Sequence, residues 1–147
     1  MEVVPFAPEH MMKIDKSDVN GEVLTFIGDL DQRAGIYACA GPAVTVIDND
    51  IVLAIGGVLK FWQGVGEAWL QVSPAGRLQK MAIYKEMKSL LDRAFDEQGF
   101  HRIQAAVLDG HIEAHRTCLR LGFIPEGMMV NFGPNKENFI RYCRLGG

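Results

Sequence analysis

Two cations, Arg77 and Lys80, stand where the apolar residues of the chain change from a period of two to steps of three and four. That change predicts the start of a long helix over residues 77–97. Its first turn carries partial positive charge, so each exposed cation there costs on the order of a few tenths of a kcal/mol. A phosphate held by both would reverse the sign, because bare N–H groups at a helix start already favour an anion. The plainer reading, two solvated charges on an exposed face, stands beside it. Other reactive residue types are less organised. Cys39, Cys118 and Cys143 are odd in number and show no CxxC spacing, so neither a disulfide framework nor a zinc site is expected. His10 and His115 carry no spacing argument, and no Ser, His and Asp set for hydrolysis stands out. Glu67 follows Gly66 at the edge of a strand-like run, a place where glutamate is more often a surface residue.

The elements that must position these residues can be read in order. Residues 3–6 suggest a short strand, and Pro8 opens a short helix through EHMMKI. Residues 22–40 mix helix formers with Gly28 and Gly35, which suggests one or two broken helices. Residues 43–47 and 51–61 are β-rich and joined by Asp48-Asn49-Asp50, a hairpin signal. Gly56-Gly57 inside the second run predicts a bulge or a close backbone contact. In residues 67–72 Ala68, Leu70 and Val72 alternate with Glu67, Trp69 and Gln71, so the two sets face opposite sides of a third strand. After Ser73-Pro74, Tyr84, Met87, Leu91, Ala94 and Phe95 form the buried stripe of the long helix, which Gly99 ends. Residues 102–108 form a strand, residues 112–121 a second helix stopped by Gly122, and residues 123–132 and 138–145 a closing hairpin around Gly133-Pro134-Asn135. Strand, helix, strand in the middle implies a parallel pair inside an otherwise antiparallel sheet.

One stretch is more specific. HIEAHRTCLRLGF, residues 111–123, resembles the pattern Asn-x-x-Ala-x-x-x-Tyr-x-(Lys/Arg)-x-Gly-Phe of the GNAT superfamily of N-acetyltransferases, with Ala114, Arg120, Gly122 and Phe123 matching without a gap. The order of elements is similar to that family from residue 43 onward. Its short members encoded in tailed-phage genomes look nearest.

The resemblance implies a single α/β domain over residues 1–147. It would have a mixed, mostly antiparallel, twisted sheet of six to seven strands, a central parallel pair and about four helices. It implies acetyl-CoA as co-substrate and an amine acceptor on a small molecule, peptide or protein. The backbone at Leu70, Gln71 and Val72 corresponds to the part of the family's fourth strand that meets pantetheine. The family's pyrophosphate loop, (Gln/Arg)-x-x-Gly-x-(Gly/Ala), falls on residues 77–82, which gives Arg77, Leu78, Lys80 and Ala82 as phosphate contacts. Lys80 replaces the central glycine, and a side chain there crowds the approach to phosphate; Gly76, one residue ahead of Arg77, offers flexibility for a shifted loop. Glu67 resembles the family's base. Cys118 stands where many members carry an acid tyrosine; an unperturbed thiol pKa of about 8.5 suits protonation of a thiolate, and a packed core thiol is the plainer role. His111 replaces a cofactor-contacting asparagine.

These departures leave a second reading open: an inactive GNAT-like protein with a binding or assembly role, in a phage particle or against a host target. The family binds its acceptor through regions that correspond to residues 9–40 and 128–137. Apolar side chains in 10–12, Tyr37 and 128–132 are candidates for an acceptor cleft, a homodimer contact or plain core.

Composition bounds the rest. The 147 residues are 48% hydrophobic and 22% charged, with a formal charge of −3 and no run of Lys and Arg, so no electrostatic case for nucleic acid exists. No window approaches the roughly 18 uninterrupted apolar residues of a membrane span. The first ten residues lack a basic segment ahead of an apolar one, and a cytoplasmic location is the expectation.

Overall fold

Two left-handed residues, Asn49 and Asp50, with φ of 49° and 65°, close the hairpin that organises the sheet. This is the turn whose twist matches paired strands. A computed structural model describes residues 1–14, 36–38 and 40–146. The strands are β1 (Glu2–Pro5), β2 (Ala43–Asp48), β3 (Ile51–Trp62), β4 (Val65–Val72), β5 (Arg102–Leu108), β6 (Ile124–Met129) and β7 (Phe139–Leu145). The helices are α1 (Pro8–Lys13), α2 (Pro74–Arg77), α3 (Lys80–Glu97) and α4 (Ile112–Arg120). The seven strands form one sheet in the order β1-β2-β3-β4-β5-β7-β6. Only β4 and β5 run parallel, as the strand–helix–strand order requires.

Both faces of the sheet are covered. On one, Ile83, Met87, Leu90, Leu91 and Ala94 of α3 and Cys118 of α4 pack on Val46, Ala54, Val58, Ile103 and Ala105. On the other, Phe6, Met11, Ile14 and Tyr37 enclose Val52, Ile55 and Trp69. Met11 and Tyr37, considered above for an acceptor cleft or a dimer contact, are therefore core residues at 0% and 2% exposure. Met128, Val130 and Phe132 remain exposed. The broken helices expected over residues 22–40 lie mostly outside the described residues; within them, 36–38 are helical.

Of the two alternatives at Gly56-Gly57, the close contact holds, and two other expectations need correction. The register shifts lie at Val46/Ile47, Lys60/Trp62 and Pro125/Gly127, with no bulge at Gly56-Gly57. The glycines serve close approach instead, since a Cβ on Gly56 would lie 2.7 Å from Met87 Sδ and one on Gly57 2.4 Å from the Pro42 carbonyl oxygen. The long helix begins at Lys80 rather than Arg77. Ser73 caps its own four-residue turn by accepting from the Gly76 N–H, and the backbone leaves the helical region at Gln79 (φ −121°, ψ 28°). The strand expected over residues 123–132 ends at Met129, because Asn131 turns the chain at φ 59°.

Candidate functional site

The parallel pair holds for three residues only. Val65, Gly66 and Glu67 pair with Arg102, Ile103 and Gln104, and beyond Glu67 the strands part. The gap opens into a cavity of about 170 Å³. Its walls include all of residues 68–72 of β4 and 105–107 of β5. A cavity lined by unbroken runs of both strands reaches into the plane of the sheet, and most of its remaining walls come from α3 and α4. After Glu67 the β5-facing peptide groups of β4 have no ladder partner.

One end of this slit is cationic. Arg77 and Lys80 line it together with His111, Glu113 and Thr117. A second depression beside it is bounded by Lys80, Arg116 and Arg120. Arg77 meets Glu113 at 3.6 Å, with both side chains partly in water, so that pair is worth about 1 kcal/mol at most. Lys80 is the first residue of α3, and Gln79 before it offers no side-chain cap. The first-turn N–H groups of α3 therefore sit uncapped among cations, whose charge opposes the helix dipole unless an anion joins them. Arg77 closes the short α2 rather than opening α3, so the dipole argument applies to Lys80 alone. Gly76 keeps an ordinary φ and lends no flexibility; it is required because a Cβ there would lie 2.2 Å from the Leu53 carbonyl oxygen.

The other residues singled out from the sequence divide clearly. Leu70, Gln71, Val72 and Cys118 line the slit. Leu78 does not; it is 89% exposed. Ala82 also lies outside the lining, in the first turn of α3. His111 is the cap of α4 itself, its Nδ1 accepting from the Ala114 N–H at 3.1 Å, which leaves its proton on Nε2. Burial pushes the Cys118 thiol up to about 12. A thiol that reluctant to ionise gives no proton to a thiolate whose own acid has a pKa of about 8.5, which removes the chemical basis for Cys118 as an acid.

Glu67 sits at the last paired position, next to Ala68, and is not itself among the residues that line the cavity. Its Oε1 accepts from Arg141 Nη1 at 2.6 Å and from Gln104 Nε2 at 3.4 Å. Its Oε2 makes no hydrogen bond among the described residues and is the oxygen left to take a proton.

Three residues that the sequence reading did not single out belong here. Trp69 lines the slit, is 5% exposed, and leaves its indole N–H without a hydrogen bond among the described residues. A buried donor left unmet costs about 1–3 kcal/mol. Tyr84 donates to Thr117 Oγ1 at 2.9 Å, because the Thr117 hydroxyl donates to the Glu113 carbonyl, and it forms part of the wall near the cations. Arg116 adds the third cation at the mouth. Only Trp69 had a signal: an aromatic in the same alternating set as Glu67.

No protein-family model matches the chain, and no curated protein matches it. Solved structures do. A spermidine N-acetyltransferase point mutant from Vibrio cholerae is similar with a TM-score of 0.74 at 14% identity, covering 99% of this chain and 95% of that one. A GNAT-family acetyltransferase from Bacillus anthracis gives 0.72 at 15% identity over 98% and 93%. A ribosomal-protein-alanine N-acetyltransferase from Brucella melitensis gives 0.76 at 12% identity over 99% of each. The chain has the GNAT fold. With it come the parallel β4–β5 pair and the covered, mostly antiparallel sheet; at these identities the GNAT likeness is one of backbone, and the roles of individual residues rest on the geometry above.

Proposed function

We propose that this protein transfers an acetyl group from acetyl-CoA to an amine, with the two substrates meeting across the slit between β4 and β5. The observation that carries this reading is the slit itself: a gap in the plane of the sheet, lined by five consecutive residues of β4 and cationic at one end, with Glu67 at the last paired position just before it. The residues present fit the co-substrate. The unpaired peptide groups of residues 68–72 would hold the amide-bearing arm, and Arg77, Lys80, Arg116 and the first turn of α3 would hold the phosphates. Acetyl-CoA supplies an activated acyl carbon and a thiol leaving group.

The chain supplies the rest. Amine attack needs a neutral nitrogen and a destination for its proton. Glu67 Oε2 is that destination, directly or through one water, while Arg141 and Gln104 fix the other oxygen and so the orientation of the carboxylate. Closure of α3 and α4 over one side keeps water from the thioester. Cys118 is a wall of the slit and gives no proton.

A second reading, a GNAT-fold protein that binds without turnover, is favoured by one feature: Cys118 stands where an acid would be expected, and its thiol is pushed up to about 12. Calorimetry separates the readings from a protein without a cofactor site. Titration of acetyl-CoA, with free CoA as comparison, should show saturable micromolar binding, and amine-dependent release of free thiol should follow. Absence of heat and of any thermal shift at millimolar ligand would remove the enzyme reading.

A further inference from the structure

Beyond Glu67, the face of β4 turned toward Phe6 and Tyr37 presents Trp69 and Gln71, the next two residues of the same alternating set. Each is only 5% exposed and each lines the slit. The Trp69 ring packs between Phe6, edge-on at 5.3 Å, and Tyr37 at 4.6 Å. Its indole N–H has no acceptor among the described residues. The Gln71 amide beside it makes no hydrogen bond among the described residues but is not cut off from solvent. A buried indole N–H nearly always finds a partner, and an unmet one next to an uncommitted amide on one wall of one cavity points to a ligand that meets them.

We propose that Trp69 and Gln71 form a carbonyl-recognising pair for the acceptor. On this proposal the acceptor amine carries a nearby amide or carboxyl oxygen, as the α-amine of a peptide or amino-acid-like compound does. The proposal rests on the acetyl-transfer reading and names the substrate class for it. An indole N–H can only donate. A protonated polyamine also offers only donors, so it leaves the pair unmet and the site selects against it. A peptide carbonyl accepts from Trp69 and the Gln71 NH₂, while Gln71 Oε1 accepts from the following amide N–H. Strand residues two apart lie about 7 Å from one another, which sets the amine at Glu67 and the carbonyl at Trp69 within two residues of a bound peptide.

The pantetheine arm also carries amides, and the face distinguishes the two sources. The arm would meet the unpaired backbone peptide groups of residues 68–72, whereas the side chains of Trp69 and Gln71 project to the Glu67 side.

The test titrates alanyl-alaninamide and, separately, 1,5-diaminopentane into protein saturated with free CoA. The dipeptide should bind at least tenfold more tightly. Trp69→Phe, which keeps the ring and removes the N–H, and Gln71→Met, which keeps the length and removes the amide, should each cut that preference below threefold. Equal or tighter binding of the diamine overturns the proposal. So does a loss of CoA affinity in either variant with the dipeptide preference intact, which assigns the pair to the pantetheine arm. If CoA does not bind at all, the acetyl-transfer reading fails by itself. The dipeptide titrated into the free protein then decides: binding lost in Trp69→Phe supports the pair, and no binding overturns it.

Discussion

Replacing Glu67 by Gln separates a base from a brace. The Glu67–Arg141 pair is 2.6 Å long, with side-chain exposures of 14% and 19%. At an effective dielectric of about 20 its gross attraction is roughly 6 kcal/mol, most of which desolvation and side-chain ordering offset. Exposed pairs net about 0–1 kcal/mol, and breaking a fully buried one costs about 3–5. A pair with about a fifth of each side chain in water falls between, near 2 kcal/mol. Gln retains an oxygen that accepts from Arg141, which lowers the expected cost to about 1 kcal/mol. That leaves the folded fraction close to one for a domain of ordinary stability. Removing a general base, by contrast, lowers turnover by roughly 10²- to 10⁴-fold. Thermal unfolding and thiol release from acetyl-CoA with a dipeptide amine, measured on the same samples, read the two effects apart. Arg141→Met is the control: it breaks the same pair but leaves the carboxylate, so turnover should fall less than tenfold while stability falls by about 2 kcal/mol. If Glu67→Gln turns over within threefold of the parent, or if both variants lose turnover by the same factor, Glu67 is a brace and the mechanism above is wrong.

Lys80→Gly should weaken acetyl-CoA binding about five- to tenfold at low ionic strength and much less at about 1 M salt, where a cation at a helix start is screened; tighter binding would show that Lys80 crowds the phosphates. Gly76→Ala places a methyl 2.2 Å from the Leu53 carbonyl oxygen and should lower stability by about 2–3 kcal/mol, or roughly 5–10 °C in melting temperature. Cys118→Ala should leave turnover within about threefold, because a thiol pushed up to about 12 gives no proton; a hundredfold loss in a folded variant would restore it as an acid. In acid, Arg102 holds Glu126 at about 2 against an ordinary 4.5, and Arg144 holds Asp92 below its usual range. Carboxyls depressed in the folded state stabilise it above their unfolded pKa and lose that contribution as pH falls, so urea midpoints should drop between pH 4.5 and 2, with a shallower slope in Arg102→Gln.

Much of this architecture is legible because local physics specifies it. The alternation in residues 67–72 places Glu67, Trp69 and Gln71 on one face, and the structure has Trp69 in the core on that side. The strand expected over residues 102–108 is β5 without adjustment. Asp48-Asn49-Asp50 is a turn because two of its residues accept left-handed backbone. What stayed hidden depends on distant contacts. Periodicity runs through Ser73-Pro74 into α3 and cannot show that Ser73 caps a separate turn. Composition cannot show that Gly76 is pressed on Leu53. The orphaned indole N–H of Trp69 was beyond reach for the same reason, since a tryptophan in a buried stripe is ordinarily satisfied.

Two of the departures from the GNAT pattern, Lys80 and Cys118, act on different steps and do not weigh equally. Lys80 is exposed at the mouth of the slit and does not fill it, so the loss of a loop glycine changes how phosphates are met without closing the gap between the strands. Cys118 removes an acid, but a thiolate whose acid has a pKa of about 8.5 is a tolerable leaving group near neutral pH, and water can protonate it after departure. A neutral attacking amine has no such substitute: its proton must go to a group already in place, and Glu67 Oε2 is placed for it. On the proposed reading, the rate of transfer should therefore depend on Glu67 far more than on Cys118, and selectivity should come from the Trp69 side of the slit.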